Sequence, residues 1–198
     1  MRVFKRYLTE VEERQLLSTV ARFADVHARR DRAWMEALRV TGVRIQAFSR
    51  LTVFHAQEAL RTGYLTLGSA IQKRGQAHTV RVPKRGQRAF RTLLAIRREL
   101  GYPMDPDAPL VLSRHHQALS VRSYQARMQH WCREAGLQVN ASPHWFRHTL
   151  AKRIMARSTS PNPERLVQGA LGHACVTSTA VYTWPDREEI DAAVDLAS

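Results

Sequence analysis

SPHWFRHTLAKRIMARSTSPNPERLVQGALGHACVTSTAVYTW, residues 142–184, is the stretch whose reading decides the fold. Ser142 followed by Pro143 reads as a helix N-cap with proline at the first helical position, which sets His144 and Arg147 on one helix face. Both side chains can then address one anion. A shorter helix is expected from about Pro163 to Gly172, where glycine permits a left-handed turn, and His173 follows directly. Tyr182 stands nine residues beyond His173. An anion held by Arg147, with an imidazole on each side and a phenol within reach, is the equipment for nucleophilic attack at phosphorus. Each residue alone is weak evidence, because a histidine near a helix start is more often a cap or a packed group and a lone tyrosine is usually packing. The combination carries the argument.

The whole chain sets the frame for that stretch. Its 198 residues suffice for one substantial core, and a single domain spanning 1–198 is expected. With 44% hydrophobic and 24% charged residues, the balance is that of a soluble globular protein. No apolar run reaches the length of a bilayer span, and the first residues, MRVFKRYLTEVEER, lack a signal-peptide core, so no membrane association and a cytoplasmic location are expected. Lys and Arg number 31 against 17 Asp and Glu, a net charge of +14 spread along the chain. Such a surface most simply implies nucleic acid, since neutralised phosphates release counterions, although an acidic protein or anionic membrane suits the same charge. Cys132 and Cys175 lie far apart with no metal-type spacing, so reduced thiols are expected, with neither disulfide nor zinc.

Upstream, Thr9 and Glu12 form a capping-box pattern ahead of Leu16, Leu17, Val20 and Phe23, predicting a first helix over about Glu10 to Val26. Asp31 can cap a second helix carrying Trp34 and Leu38, ended by Gly42, and Val43 to Leu51 reads as a further short helix. Arg44 lies at that junction, flanked by apolar positions that suit a cleft. From Tyr64 to Pro83 the period shifts to two, predicting short antiparallel strands with Gly68 and Gly75 as turn residues and a basic tip at Lys73 and Arg74. Gly86 to Leu100 reads as an amphipathic helix with Phe90, Leu93, Leu94 and Leu100 inward and Arg88, Arg91, Arg97 and Arg98 largely outward. Arg88 and Arg91 are candidates for backbone phosphate contacts. After a proline-rich loop, Ser120 is expected to cap a helix stopped by Gly136. His115 and His116 are adjacent, which suits a loop and not a metal pair. The fold class is mainly α with a small antiparallel β-sheet.

HWFRHT, then ALGH, then Tyr182 resembles the C-terminal signature of the tyrosine recombinases, the integrase family that cuts and rejoins DNA through a phosphotyrosine. TGVR at 41–44 is similar to the motif carrying that family's first catalytic arginine, although the acidic residue common three positions later is Ala47 here. The resemblance implies the catalytic-core fold of DNA breaking-rejoining enzymes and six catalytic residues. Tyr182 would be the nucleophile, His144 the general acid/base, Arg44 and Arg147 the clamps on the non-bridging oxygens, and His173 a further donor. Lys73 would protonate the leaving 5′ oxygen; Arg74 competes for that role, and it is also a candidate DNA contact. His148 would be structural support. No metal and no cofactor are implied. Double-stranded DNA is the implied partner, with a homotetramer on DNA, a monomer when free, and the tail 186–198 docked on a neighbouring protomer. The resemblance covers only a catalytic domain, whereas most relatives carry a further N-terminal helical domain. Two alternatives share parts of this signature: relaxation of DNA in the manner of a type IB topoisomerase, and a non-catalytic DNA-binding regulator.

Overall fold

The computed structural model describes residues 7–71, 77–172, 185 and 187–197. Helix α1 spans Glu10–Ala21 and begins on the expected capping box, in which the Thr9 hydroxyl accepts from Glu12 N–H and the Glu12 carboxylate accepts from Thr9 N–H. It stops short of Val26 because Asp25 starts a new helix, α2 (Val26–Thr41), by accepting from the backbone N–H groups of His27 and Ala28. Asp31 is therefore no cap. It lies inside α2, fully buried, and accepts from the Trp34 indole at 3.1 Å and the Trp131 indole at 2.9 Å, with Arg30 and Arg127 as counterions. A buried carboxylate is tolerable only when paired and hydrogen-bonded in this way.

Gly42 ends α2 in the left-handed conformation at φ 61°, and the short α3 (Ile45–Phe48) occupies part of the expected 43–51 segment. Helix α4 (Val53–Thr62) leads into β1 (Tyr64–Leu67), which pairs antiparallel with β2 (His78–Arg81) in the register Leu65↔Val80 and Leu67↔His78. Leu65, Leu67 and Val80 face inward. The hairpin tip, with Lys73, Arg74 and Gly75, lies outside the described residues.

Helix α5 (Lys84–Glu99) starts before Gly86, which sits inside it where a Cβ would meet Val40 and Val82 side-chain carbons at 2.9 Å. Two side chains of α5 reverse their expected orientation. Leu100 is 38% exposed, whereas Arg97 is buried and donates to the carbonyls of Pro103 and Pro109. The proline-rich loop folds back over the helix end, so its carbonyls need a donor and Arg97 supplies it. Arg88, Arg91 and Arg98 are exposed.

Helices α6 (Val121–Glu134), α7 (Trp145–Arg157) and α8 (Pro163–Leu171) follow. Ser120 caps α6 as expected. The core joins α2, α5 and α6 through Trp34, Phe90, Tyr124, Met128 and Trp131, while Ala151, Val167 and Leu171 form a smaller cluster between α7 and α8. The C-terminal half closes on the N-terminus: Leu8 N–H donates to Thr149 Oγ1 at 2.9 Å, and Arg153 pairs with Glu13 at 2.6 Å. The last helix, α9 (Arg187–Ala197), is tied to α7 by Lys152 and Glu189 at 2.8 Å. Among the described residues, no helix is long and apolar enough to cross a membrane.

Candidate active site

Two of the expected residues stand at the start of α7, though not as Ser142 and Pro143 suggested. Pro143 lies in a turn in which Trp145 N–H donates to Ser142 O, and the helix begins at Trp145 with His144 at the N-cap position. His144 keeps helical φ and ψ (−67°, −22°), so it remains one turn before Arg147 on the same side. The intended juxtaposition survives a shift in the helix start.

Arg147 is 3% exposed and binds two separate parts of the chain. Its Nη1 donates to Gly42 O at 2.6 Å and its Nη2 to Leu171 O at 2.7 Å. The end of α2, the start of α7 and the end of α8 therefore meet on one guanidinium. Gly42 is required there: a Cβ would stand 2.6 Å from Leu171 Cδ2, in a backbone conformation that L side chains rarely adopt. Arg44, two residues on, is half-buried, and its charge reaches the same region.

The electrostatics identify what shares this pocket of charge. Burial, then the cations Arg147 and Arg44, push the His144 pKa down from 6.5 to about 4. His144 is thus a neutral imidazole at pH 7, able to accept a proton. Its ring meets that of His148 edge to face, with centroids 4.7 Å apart. His78, at the start of β2, is the residue the sequence reading missed. Its ring nitrogen lies 3.4 Å from Ala170 O, and a Cβ on Gly172 would stand 2.6 Å from the ring. Burial lowers its pKa, and Arg147 and Arg44 act in the same direction. His78 thus links the hairpin to the end of α8, just before His173. The one available signal was its place on the strand leading back from the basic tip.

Arg44, His144 and Arg147 are accordingly brought together. His173, Tyr182, Lys73 and Arg74 lie outside the described residues. Arg88 and Arg91 lie on the exposed face of α5, and the cations that act on the two histidines are Arg147 and Arg44. Among the described residues no group of three or more His, Cys, Asp or Glu is placed to hold a metal.

The depressed His144 pKa has a measurable sign. Between pH 6.5 and about 4 the unfolded chain takes up a proton at this position that the folded chain resists, so stability falls as pH drops through that window. Urea unfolding at pH 7 and pH 5 is expected to show a loss at pH 5 that His144→Asn reduces; an unchanged pH dependence in that variant would contradict the assignment.

Comparison with known proteins gives the family. The family model described as "Phage integrase family" matches residues 6–189. The chain belongs to the phage integrase family. Within this family of tyrosine recombinases, it is 32% identical over 182 residues to tyrosine recombinase XerC 1 of Ralstonia nicotianae, covering 87% of this chain and 54% of that protein. It is 32% identical over 176 residues to XerC of Vibrio parahaemolyticus, covering 87% and 53%. The chain thus spans about half the length of these curated relatives. Among solved structures the fold is that of XerA recombinase (TM-score 0.75, 21% identity, 100% of this chain and 66% of that one). It is equally that of XerH recombinase bound to a palindromic difH substrate (TM-score 0.73, 22% identity, 96% and 52%). The mainly helical fold with a two-stranded sheet is therefore the tyrosine recombinase catalytic-domain fold.

Proposed function

We propose that this chain is the catalytic domain of a site-specific recombinase that cleaves and rejoins duplex DNA through a 3′-phosphotyrosyl link. The observation that carries the reading is the meeting of Arg44, Arg147 and a neutral His144 at the junction of α2, α7 and α8. Two guanidiniums oppose the charge that builds on the non-bridging oxygens during attack, and planar forks suit that geometry better than ammonium groups. The neutral imidazole accepts the phenolic proton as Tyr182 attacks, and the 5′ oxygen leaves with a proton from Lys73, or from Arg74 if the tip is shifted by one residue. His173 donates to the same phosphate. The phosphotyrosyl link keeps the energy of the broken phosphodiester bond, so rejoining needs neither ATP nor metal.

Duplex DNA as partner is supported by the charge of +14 and by relatives solved with DNA, among them a lambda integrase tetramer bound to a Holliday junction (TM-score 0.65, 17% identity, 92% of this chain and 49% of that one). Arg74, Arg88 and Arg91 would add backbone phosphate contacts. A monomer when free, a tetramer on DNA and a cytoplasmic location complete the reading. The test is to incubate the protein with nicked suicide duplexes and look for a covalent adduct. Supercoil relaxation without strand-exchange product would favour the topoisomerase alternative, and sequence-selective binding with no adduct would favour the regulator.

The tail belongs to the same proposal. In α9, Val194 is 58% and Leu196 is 90% exposed, while Glu189 pairs with Lys152 of the same chain. Exposed apolar side chains on a helix tied to α7 through a surface ion pair suit transfer to a neighbouring protomer on DNA, because such pairs hold weakly. Deleting residues 186–198 is expected to abolish cooperative assembly in gel-shift titrations while single-site binding persists; unchanged cooperativity would overturn the docking role.

A further inference from the structure

A cavity of about 410 Å³ lies between α1, α2, α5 and α7, lined by six arginines and three glutamates and containing none of the residues placed in the active site. Its wall is an alternating row of charges. Glu13, 1% exposed, takes Arg39 at 2.7 Å and Arg153 at 2.6 Å on a single oxygen, Oε2. Glu36 takes Arg85 through two hydrogen bonds, at 2.7 and 2.8 Å, and Arg39 at 3.7 Å. Two buried carboxylates thus hold three guanidiniums in fixed orientations. At the rim, Arg14 and Arg32 are exposed and make no ion pair or hydrogen bond among the described residues.

We propose that this cavity is a second anion site, independent of strand transfer, that takes a phosphorylated ligand of nucleotide class. Three observations select that chemistry. The cations are all arginine, whose fork matches phosphoryl oxygens and is already ordered by Glu13 and Glu36. The volume falls in the range of small-ligand pockets, and a concavity walled by four helices suits a compact ligand better than a straight duplex. Glu10 is exposed and lines the same cavity with carboxylate acceptors, so the ligand should bring a donor as well as phosphates. A nucleotide supplies both, through its amino or hydroxyl groups and its phosphoryl oxygens.

The test uses the full chain, metal-free ATP and inorganic tripolyphosphate as probes, and calorimetric titration. One saturable ATP site is expected, with affinity several-fold above that for tripolyphosphate and at least tenfold weaker in Arg14→Ala/Arg32→Ala. Both positions are exposed, and retained thermal melting verifies folding. Arg114→Ala/Arg122→Ala, which removes equal charge elsewhere, is expected to bind as the unmodified chain does. Equal weakening in that control, or loss of binding in Arg44→Ala, would place ATP on general surface charge or in the phosphodiester centre and overturn the proposal. Tripolyphosphate binding as tightly as ATP would overturn the nucleotide assignment. Saturating random-sequence duplex is the remaining arm: retained ATP supports a free nucleotide, and displacement assigns the arginines to DNA backbone and overturns it.

Discussion

Tyr182→Phe is expected to form no covalent adduct with nicked suicide DNA while its binding to duplex stays within about twofold, since one phenolic oxygen contributes little to contacts dominated by phosphate charge. The chain has five tyrosines, and the surroundings of four of them are described. Tyr124 is buried against Trp34 and Phe48, and burial drives its pKa far above the ordinary phenolic value. Tyr102 is packed on His116 and near Arg97, Tyr7 lies by Lys152, and Tyr64 stands on the exposed side of β1. Denaturing gels with end-labelled DNA read the result directly. An adduct that persisted in the phenylalanine variant would assign the nucleophile elsewhere.

Arg147→Ala is expected to act twice, on chemistry and on folding. Removing the guanidinium leaves the carbonyls of Gly42 and Leu171 without their donors. A buried acceptor stripped of its partner costs about 1–3 kcal/mol, so the two together cost about 2–6 kcal/mol, and Tm should fall by roughly 5–20 °C in a chain of this size. Arg147→Lys keeps the charge, yet one ammonium cannot span two carbonyls and also clamp a phosphate in bidentate fashion. It should recover part of the stability and little of the cleavage. A normal melting curve for Arg147→Ala would refute the structural half of this role, and normal adduct yield would refute the catalytic half.

How far the sequence reached depended on the distance over which each choice is made. The Thr9–Glu12 box, the Gly42 and Gly172 stops and the β1–β2 pairing are local, and each was readable from a few residues. Asp31 was misread because N-cap preference does not distinguish it from Asp25; the indole that claims it, on Trp131, is 100 residues away. Arg97 was misread for a similar reason, since helical periodicity records a face but not the loop carbonyls that fold over it. In the site, Arg44, His144 and Arg147 were legible from their motifs. His78 was not, because its significance comes from contact with Ala170 and Gly172 across more than 90 residues.

The seating of α7 against the N-terminal segment also bears on synthesis. Leu8 hydrogen-bonds Thr149, and Arg153 reaches Glu13, across 141 and 140 residues. On a ribosome, α1 emerges long before the helix that holds it, and the bridge from Arg147 to Gly42 and Leu171 closes later still. Contacts of such separation form slowly and late. A nascent chain therefore exposes basic helices before the contacts that join α2, α7 and α8 can form, and the bridge on Arg147 closes only once residue 171 has left the ribosome.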